Sequence, residues 1–269
     1  MSEPLKSVAR AALAIRRQFL RMHFGARSGH IGSGLSAIDI LACLYGTWLR
    51  QHDQFILSKG HSASALYATL HHFGMLSDAE LSAYYQDDAF LPAHPAPRGL
   101  SAISVATGSL GHGLPIAAGM AYGYSNLRAT DSRVACLLSD GECNEGSTWE
   151  AALFASHHRL INLTVLIDAN GIQAFGRTEE VLALEPFAKK WQAFGFEVRE
   201  CNGHDYDALN AALAAPASDR PRCIIARTVK GKGVSFMENT VDWHYWPMNE
   251  AQYQQAISEL DQCERELPA

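Results

Sequence analysis

Two polar turns that could do chemistry stand thirty positions apart in matching surroundings. Asp140 follows the apolar run Val134-Ala135-Cys136-Leu137-Leu138, in the turn Ser139-Asp140-Gly141. Asn170 follows Leu163-Thr164-Val165-Leu166-Ile167, in Asp168-Ala169-Asn170-Gly171. If the two runs are neighbouring parallel strands, their carboxyl ends bring Asp140 and Asn170 together, at the edge where open α/β sheets bind ligands. A carboxylate, an amide oxygen, a backbone carbonyl and phosphate oxygens would complete a hard-cation site. Magnesium takes about six oxygens and uses one or two carboxylates alongside substrate phosphates. A helix predicted from about Glu145 would turn its first amides toward the same spot, which favours an anion. The alternative is a pair of polar turns that hold no ligand. Imidazole supplies a second set of candidates among the 12 histidines. His30 lies in Ser28-Gly29-His30-Ile31-Gly32-Ser33-Gly34, and His61 closes Ser58-Lys59-Gly60-His61. Such groups suit hydrogen bonding and proton transfer near neutral pH. His23, His71, His72, His157 and His158 fall on predicted helices and read as structural.

The rest of the chain must position these turns. Leu5, Val8, Ala12, Ile15, Phe19 and Met22 recur at three- and four-residue steps and predict a helix over 4–24. The glycine-rich stretch at 28–34 reads as a turn. Further helices are expected over 36–49, 62–73, 77–85, 145–159, 186–194 and 205–214. Strands are expected at 55–57, 134–138, 163–167, 196–198 and 223–226. Strands apolar on both faces and separated by helices predict a parallel sheet between helix layers, in a single α/β domain. A last helix, about 249–267, carries Tyr253, Ala256, Leu260, Cys263 and Leu267 on one face.

Composition excludes several classes. With 269 residues, 48% hydrophobic and 19% charged, the chain can bury a sizeable core. The net charge of −6 comes without a basic block, so the footprint of nucleic-acid binding is missing. Six scattered cysteines without a CxxC pair argue against a disulfide framework or structural zinc. The N-terminus lacks the apolar core of a signal peptide. A cytoplasmic protein without a membrane partner is expected. One segment stands apart: the 29 residues between Arg98 and Arg128 contain no Asp, Glu, Lys or Arg. Six glycines and Pro115 interrupt them, so they do not read as the roughly 20 predominantly apolar residues of a spanning helix. They predict a buried loop running into a buried helix, whose polar backbone a ligand or partner chain would satisfy.

These motifs together carry a resemblance. The run Ser139-Asp140-Gly141-Glu142-Cys143-Asn144-Glu145-Gly146, with Trp149-Glu150-Ala151 and Asp168-Ala169-Asn170, is similar to the thiamine-diphosphate fingerprint of transketolases. Ser28-Gly29-His30, Leu57 to His61, His94-Pro95, Thr107 to Gly113, Lys230-Gly231-Lys232-Gly233 and His244 follow in family order, so the resemblance spans about residues 5–246. It implies a thiamine-diphosphate-binding fold over 1–269. It also implies a divalent cation, magnesium or else calcium or manganese, on Asp140, Asn170 and the Ile172 carbonyl. His61 and Gly141 would lie beside the diphosphate, and Gly108 and Leu110 against the aminopyrimidine ring. His30, His94 and His244 would line the substrate channel as catalytic histidines, with Glu145 near a dimer axis rather than on the metal.

The implied activity is transfer of a two-carbon ketol unit from a ketose to an aldehyde. The family's pyrimidine-binding and C-terminal domains are expected on a separate chain. That chain would be a C-terminal transketolase subunit in an α2β2 heterotetramer, without which this one would be inactive. The competing readings are other thiamine-diphosphate carboligases, of deoxyxylulose-phosphate-synthase or 2-oxo-acid type, and a catalytically silent assembly subunit. His30 and His94 weigh against the former, and the intact Asp140 and Asn170 against the latter. The sequence also departs from the family pattern. Ser139 replaces the first glycine of the turn, His112 stands where glutamine is common, and Gly171, Ala174-Phe175 and Tyr245-Trp246 are unusual. Phe175, Tyr245 and Trp246 are expected near the substrate entrance, which would disfavour an ordinary pentose phosphate as acceptor.

Overall fold

In the computed structural model, which describes residues 2–87, 90–216 and 218–267, the two long apolar runs become strands in which every residue is buried. The elements in chain order are α1 (Glu3–Ala26), α2 (Ile31–Cys43), β1 (Gln54–Leu57), α3 (Ala63–His72), α4 (Asp78–Ser82), α5 (Gly113–Tyr122), β2 (Val134–Ser139) and α6 (Gly146–His157). There follow β3 (Leu163–Ala169), α7 (Thr178–Leu182), α8 (Phe187–Ala193), β4 (Glu197–Asn202), α9 (Tyr206–Ala214), β5 (Arg222–Arg227) and α10 (Glu250–Glu266). The five strands form one parallel sheet in the order β1-β2-β3-β5-β4. Side-chain alternation sends Ala135, Leu137, Leu166 and Ile224 toward a layer containing α1, α2, α3 and α9. It sends Val134, Cys136, Leu138, Val165 and Ile225 toward α5, α6 and α8. Full burial of each large aliphatic side chain contributes about 1.5–3 kcal/mol, so covering both faces fixes the strands and, with them, their carboxyl ends. Ser139 pairs with Asp168, so Asp140 and Asn170 emerge side by side.

Four expectations shift. The glycine-rich stretch is mostly helix, because α2 begins at Ile31, directly after His30 in left-handed backbone (φ +64°). A Cβ on Gly34 would stand 2.4 Å from the Phe19 ring, so this glycine serves close packing of α2 on α1 rather than a turn. The helix expected over 77–85 ends at Ser82, three residues before Tyr85 takes φ +59°. The strand expected at 196–198 runs on to Asn202, and a half-exposed edge strand of this polarity has no apolar run to announce it. In the uncharged segment α5 does bury Leu114, Ala117, Ala118 and Ala121. The loop before it is only partly buried: Ile103 joins the core, but Ser104, Ala106, Ser109 and Leu110 are exposed in this chain. Ile31–Trp48 is apolar and long enough to cross a membrane, but 83% of it is buried as the central helix of its layer.

Candidate active site

At the carboxyl edge of the sheet a cavity of about 260 Å³ gathers all ten expected site residues. Its wall includes His30, His61, His94, His244, Gly108, Leu110, Asp140, Gly141, Asn170 and Ile172, joined by Ser33, Ser139, Gln173, Ala174, Phe175 and Lys230. A larger groove of about 590 Å³, lined by residues of α1, α10 and the 232–238 segment, contains none of them.

The acidic side of the cavity is held by backbone. Asp140 accepts from the Gly141 N–H (2.8 Å), the Gly171 N–H (2.8 Å) and the Thr178 hydroxyl (3.1 Å). Burial pushes its carboxyl pKa up, against the pull of these hydrogen bonds. A short 3₁₀ turn, Gly141–Asn144, separates Asp140 from α6, so the amides on the carboxylate are those of Gly141 and Gly171 and not the expected helix start. Asn170 Oδ1 accepts from the Ile172 N–H at 3.1 Å, and Asn170 Nδ2 donates to Ser36 at 3.4 Å. Ser139 ends β2 in extended backbone, so its replacement of a glycine strains nothing.

Four buried acidic and basic side chains that the sequence did not single out frame this site. Glu142 accepts from the Ser58 hydroxyl (2.5 Å), the Gly111 N–H (3.1 Å) and the Ser139 N–H (2.9 Å). It thereby ties the uncharged loop to the ends of β1 and β2 and sets Gly108 and Leu110 against the cavity. Gly60 allows that loop to cross, since a Cβ there would stand 2.8 Å from the Gly108 nitrogen. Lys59, fully buried, pairs with Asp168, which also accepts from Ser36 (2.6 Å) and Thr228. The Lys230 ammonium donates to the Ile172 and Gln173 carbonyls, each at 3.2 Å. Burial and the nearby Lys59 lower its pKa to about 8. Only its place in the Lys-Gly-Lys-Gly motif could have flagged it.

The four histidines form one cluster. His30 lies 4.9 Å from His244, 5.9 Å from His61 and 6.2 Å from His94, ring centre to ring centre. Burial depresses every one of these pKa values, and mutual repulsion and the lysines push three of them further: His61 falls well below its usual value and His244 to about 3. All four are therefore neutral imidazoles at neutral pH, each able to donate through one nitrogen and accept through the other. His244 Nδ1 is buried and has no hydrogen-bond partner among the described residues. His23, by contrast, is spent on Ser28 and Ser64, and His71 on Asp78.

Comparison with known proteins identifies the family. The family described as "Transketolase, thiamine diphosphate binding domain" matches residues 9–262. The chain belongs to the transketolase family. It is 36% identical over 260 residues to an apulose-4-phosphate transketolase subunit of Actinobacillus succinogenes, covering 93% of this chain and 94% of that one. It is 35% identical over 272 residues to the 6-deoxy-6-sulfo-D-fructose transketolase subunit SqwG of a Clostridium species, covering 97% and 98%. The crystal structure of Campylobacter jejuni transketolase superposes with a TM-score of 0.85 at 29% identity. The match covers 97% of this chain but 43% of that one, so the chain spans less than half of a full-length transketolase.

The residues present fit thiamine diphosphate and a cation. Asp140 is a buried carboxylate whose partners are amides and a hydroxyl, which a cation would complement. Lys230 is a buried ammonium whose hydrogen bonds among the described residues go to two carbonyls, and a diphosphate would complement it. Among the described residues no group of three or more His, Cys, Asp or Glu could hold a metal. A cation here would use one carboxylate and neutral oxygens, a donor set suited to magnesium or calcium. Of the three aromatic residues expected at the entrance only Phe175 lines the cavity, and it is 85% exposed. Tyr245 gives its hydroxyl to the Ala174 carbonyl, and Trp246 is exposed away from the wall.

Proposed function

We propose that this chain is the cofactor-binding subunit of a two-chain transketolase that moves a two-carbon ketol unit from a ketose to an aldehyde. One observation carries this reading: a cation-ready cluster at Asp140, Asn170 and Ile172 faces four neutral imidazoles across one small cavity. Asp140, the Asn170 amide oxygen and the Ile172 carbonyl would hold magnesium or a similar divalent ion. Lys230 and His61 would meet the diphosphate, with Gly141 allowing close approach. Leu110, 37% exposed, offers apolar surface to the aminopyrimidine ring. Bound thiamine diphosphate would supply the nucleophilic carbon and the electron sink. His30, His94 and His244 would bind donor and acceptor hydroxyls and pass protons between them, which their neutral state permits in both directions. The Nδ1 of His244, buried and without a partner among the described residues, has unused capacity for such a contact.

The two-chain organisation rests on relatives of the same length that are themselves named as transketolase subunits. The partner would cover the exposed, uncharged loop over 99–112 and complete an α2β2 assembly in the cytoplasm. Exposed Glu145, off the cavity wall, fits a place at an interface rather than on the metal. Calorimetric titration with thiamine diphosphate and magnesium tests the cofactor site: the wild-type chain binds and Asn170→Ala does not. Ketol transfer should appear only when a second chain, matching the part of a full-length transketolase that this chain does not span, is added. Turnover of a ketose by this chain alone would refute the two-chain reading.

A further inference from the structure

Three consecutive carbonyls of one hairpin are received by two side chains from one distant segment. Residues 171–178 leave β3 and fold back through an antiparallel bridge between Ile172 and Arg177. Within it the Gln173 N–H donates to Gly176 O (2.8 Å) and the Thr178 N–H to Gly171 O (2.9 Å). The Ile172 and Gln173 carbonyls accept from Lys230, and the next one, Ala174, accepts from the Tyr245 hydroxyl at 3.1 Å. The hairpin's apolar anchorage is confined to Ile172 near its base, which is buried, while Phe175 at its tip is 85% exposed. A segment so weakly buried opens readily unless polar contacts hold it. Tyr245 is well placed to be such a contact, because its backbone is fixed on the histidine cluster. The His30 N–H donates to the carbonyl of neighbouring His244 at 3.0 Å, and a Cβ on Gly29 would stand 2.4 Å from the Tyr245 carbonyl oxygen.

We propose that Tyr245 is a positioning residue of the cofactor site: its hydroxyl clasps the 171–178 hairpin to the 242–246 turn and so fixes the Ile172 carbonyl at a set distance from His30 and His244 before cation and diphosphate arrive. Its role toward the cofactor rests on the thiamine-diphosphate reading above; the clasp itself does not. Tyr245 thus acts on the hairpin backbone, to which its hydroxyl proton is given.

Tyr245→Phe keeps the ring and removes the hydroxyl. A hydrogen bond of this kind has a net worth equivalent to about 2- to 10-fold in an equilibrium. Amide exchange at Gln173 and Thr178 in the cofactor-free variant should therefore speed up by about 2- to 10-fold, with the thermal midpoint of the whole chain unchanged. The dissociation constant for thiamine diphosphate with magnesium, read by calorimetry, should rise by a similar factor. Unchanged exchange in the hairpin overturns the clasp. Faster exchange with unaltered cofactor affinity overturns its role in the site. If the wild-type chain itself binds no thiamine diphosphate, the cofactor reading and this role fall together, and the exchange measurement still decides the clasp.

Discussion

Asp140→Asn should separate what the site does for the fold from what it does for the ligand. In the cofactor-free chain the Asp140 carboxylate is penalised by burial, which raises its pKa, and is compensated by two amides and a hydroxyl. An asparagine can keep its oxygen on the Gly171 N–H and Thr178 hydroxyl while its amide nitrogen gives up the Gly141 contact. One lost hydrogen bond costs about 0.5–1.5 kcal/mol, and relief of the buried charge offsets part of that. The net change in the stability of the cofactor-free fold should stay within about 1 kcal/mol, or about 2–4 °C in melting temperature for a domain of this size. Ligand binding should behave in the opposite way. Losing a mere hydrogen-bond partner of a metal ligand costs 10- to 100-fold in affinity, so neutralising the ligand itself should cost at least about 100-fold. With thiamine diphosphate and magnesium at about 100 times the wild-type dissociation constant, the wild-type chain gains about 2.7 kcal/mol, or about 5–11 °C. The variant, near half-saturation, gains about 0.4 kcal/mol, or about 1–2 °C. Thermal melts of both proteins with and without ligand check this. A ligand-induced shift as large as wild type, or a cofactor-free variant destabilised by more than about 3 kcal/mol, would show that the carboxylate is structural and not a cation ligand.

Two further outcomes follow from buried groups outside the cation cluster. Lys59→Met takes from the buried Asp168 its charged partner, leaving the Ser36 and Thr228 hydroxyls among the described residues, and should cost about 3–5 kcal/mol in urea denaturation; a loss below about 1 kcal/mol would show that the ion pair does not hold the fold. His23, fully buried, has its pKa lowered to about 4, chiefly by burial. A base depressed in the fold contributes stability above its unfolded value near 6.5 and loses it as pH falls toward 4. Between pH 7.5 and pH 5 this amounts to roughly 2 kcal/mol. His23→Gln should flatten that part of the acid-unfolding curve, and an unchanged slope would refute the assignment.

The sequence exposed the parts of the site that depend on strand ends. Two continuous apolar runs located β2 and β3, their parallel pairing followed from the helices between them, and Asp140 and Asn170 fell together for that reason alone. The ions that hold the site in shape were not visible. Glu142 receives donors from residues 58, 111 and 139, and Lys59 meets Asp168 across more than a hundred positions. No local pattern marks a side chain whose partners arrive only when four separate turns converge. Glycine misled in the same way. Gly32 and Gly34 read as a turn, yet they sit in the first turn of α2, where Gly34 makes room for the Phe19 ring.

The uncharged segment and the aromatic residues show a second kind of limit. A stretch without charge reads the same whether its own chain or another covers it, so burial was expected for a loop that this chain leaves open at Ser104, Ala106, Ser109 and Leu110. Phe175, Tyr245 and Trp246 could be assigned to neighbouring turns, but a ring's direction depends on contacts made in three dimensions. Tyr245 has its hydroxyl on the Ala174 carbonyl, and Trp246 lies off the cavity wall. Any effect of these residues on acceptor choice therefore reduces to Phe175. Truncating it to alanine should change the ranking of aldehydes by polarity without loosening the hairpin, whereas removing the Tyr245 hydroxyl should loosen the hairpin and leave the ranking alone. If the two substitutions gave the same phenotype, the hairpin would act as one unit, and the separation between clasp and channel wall would fail.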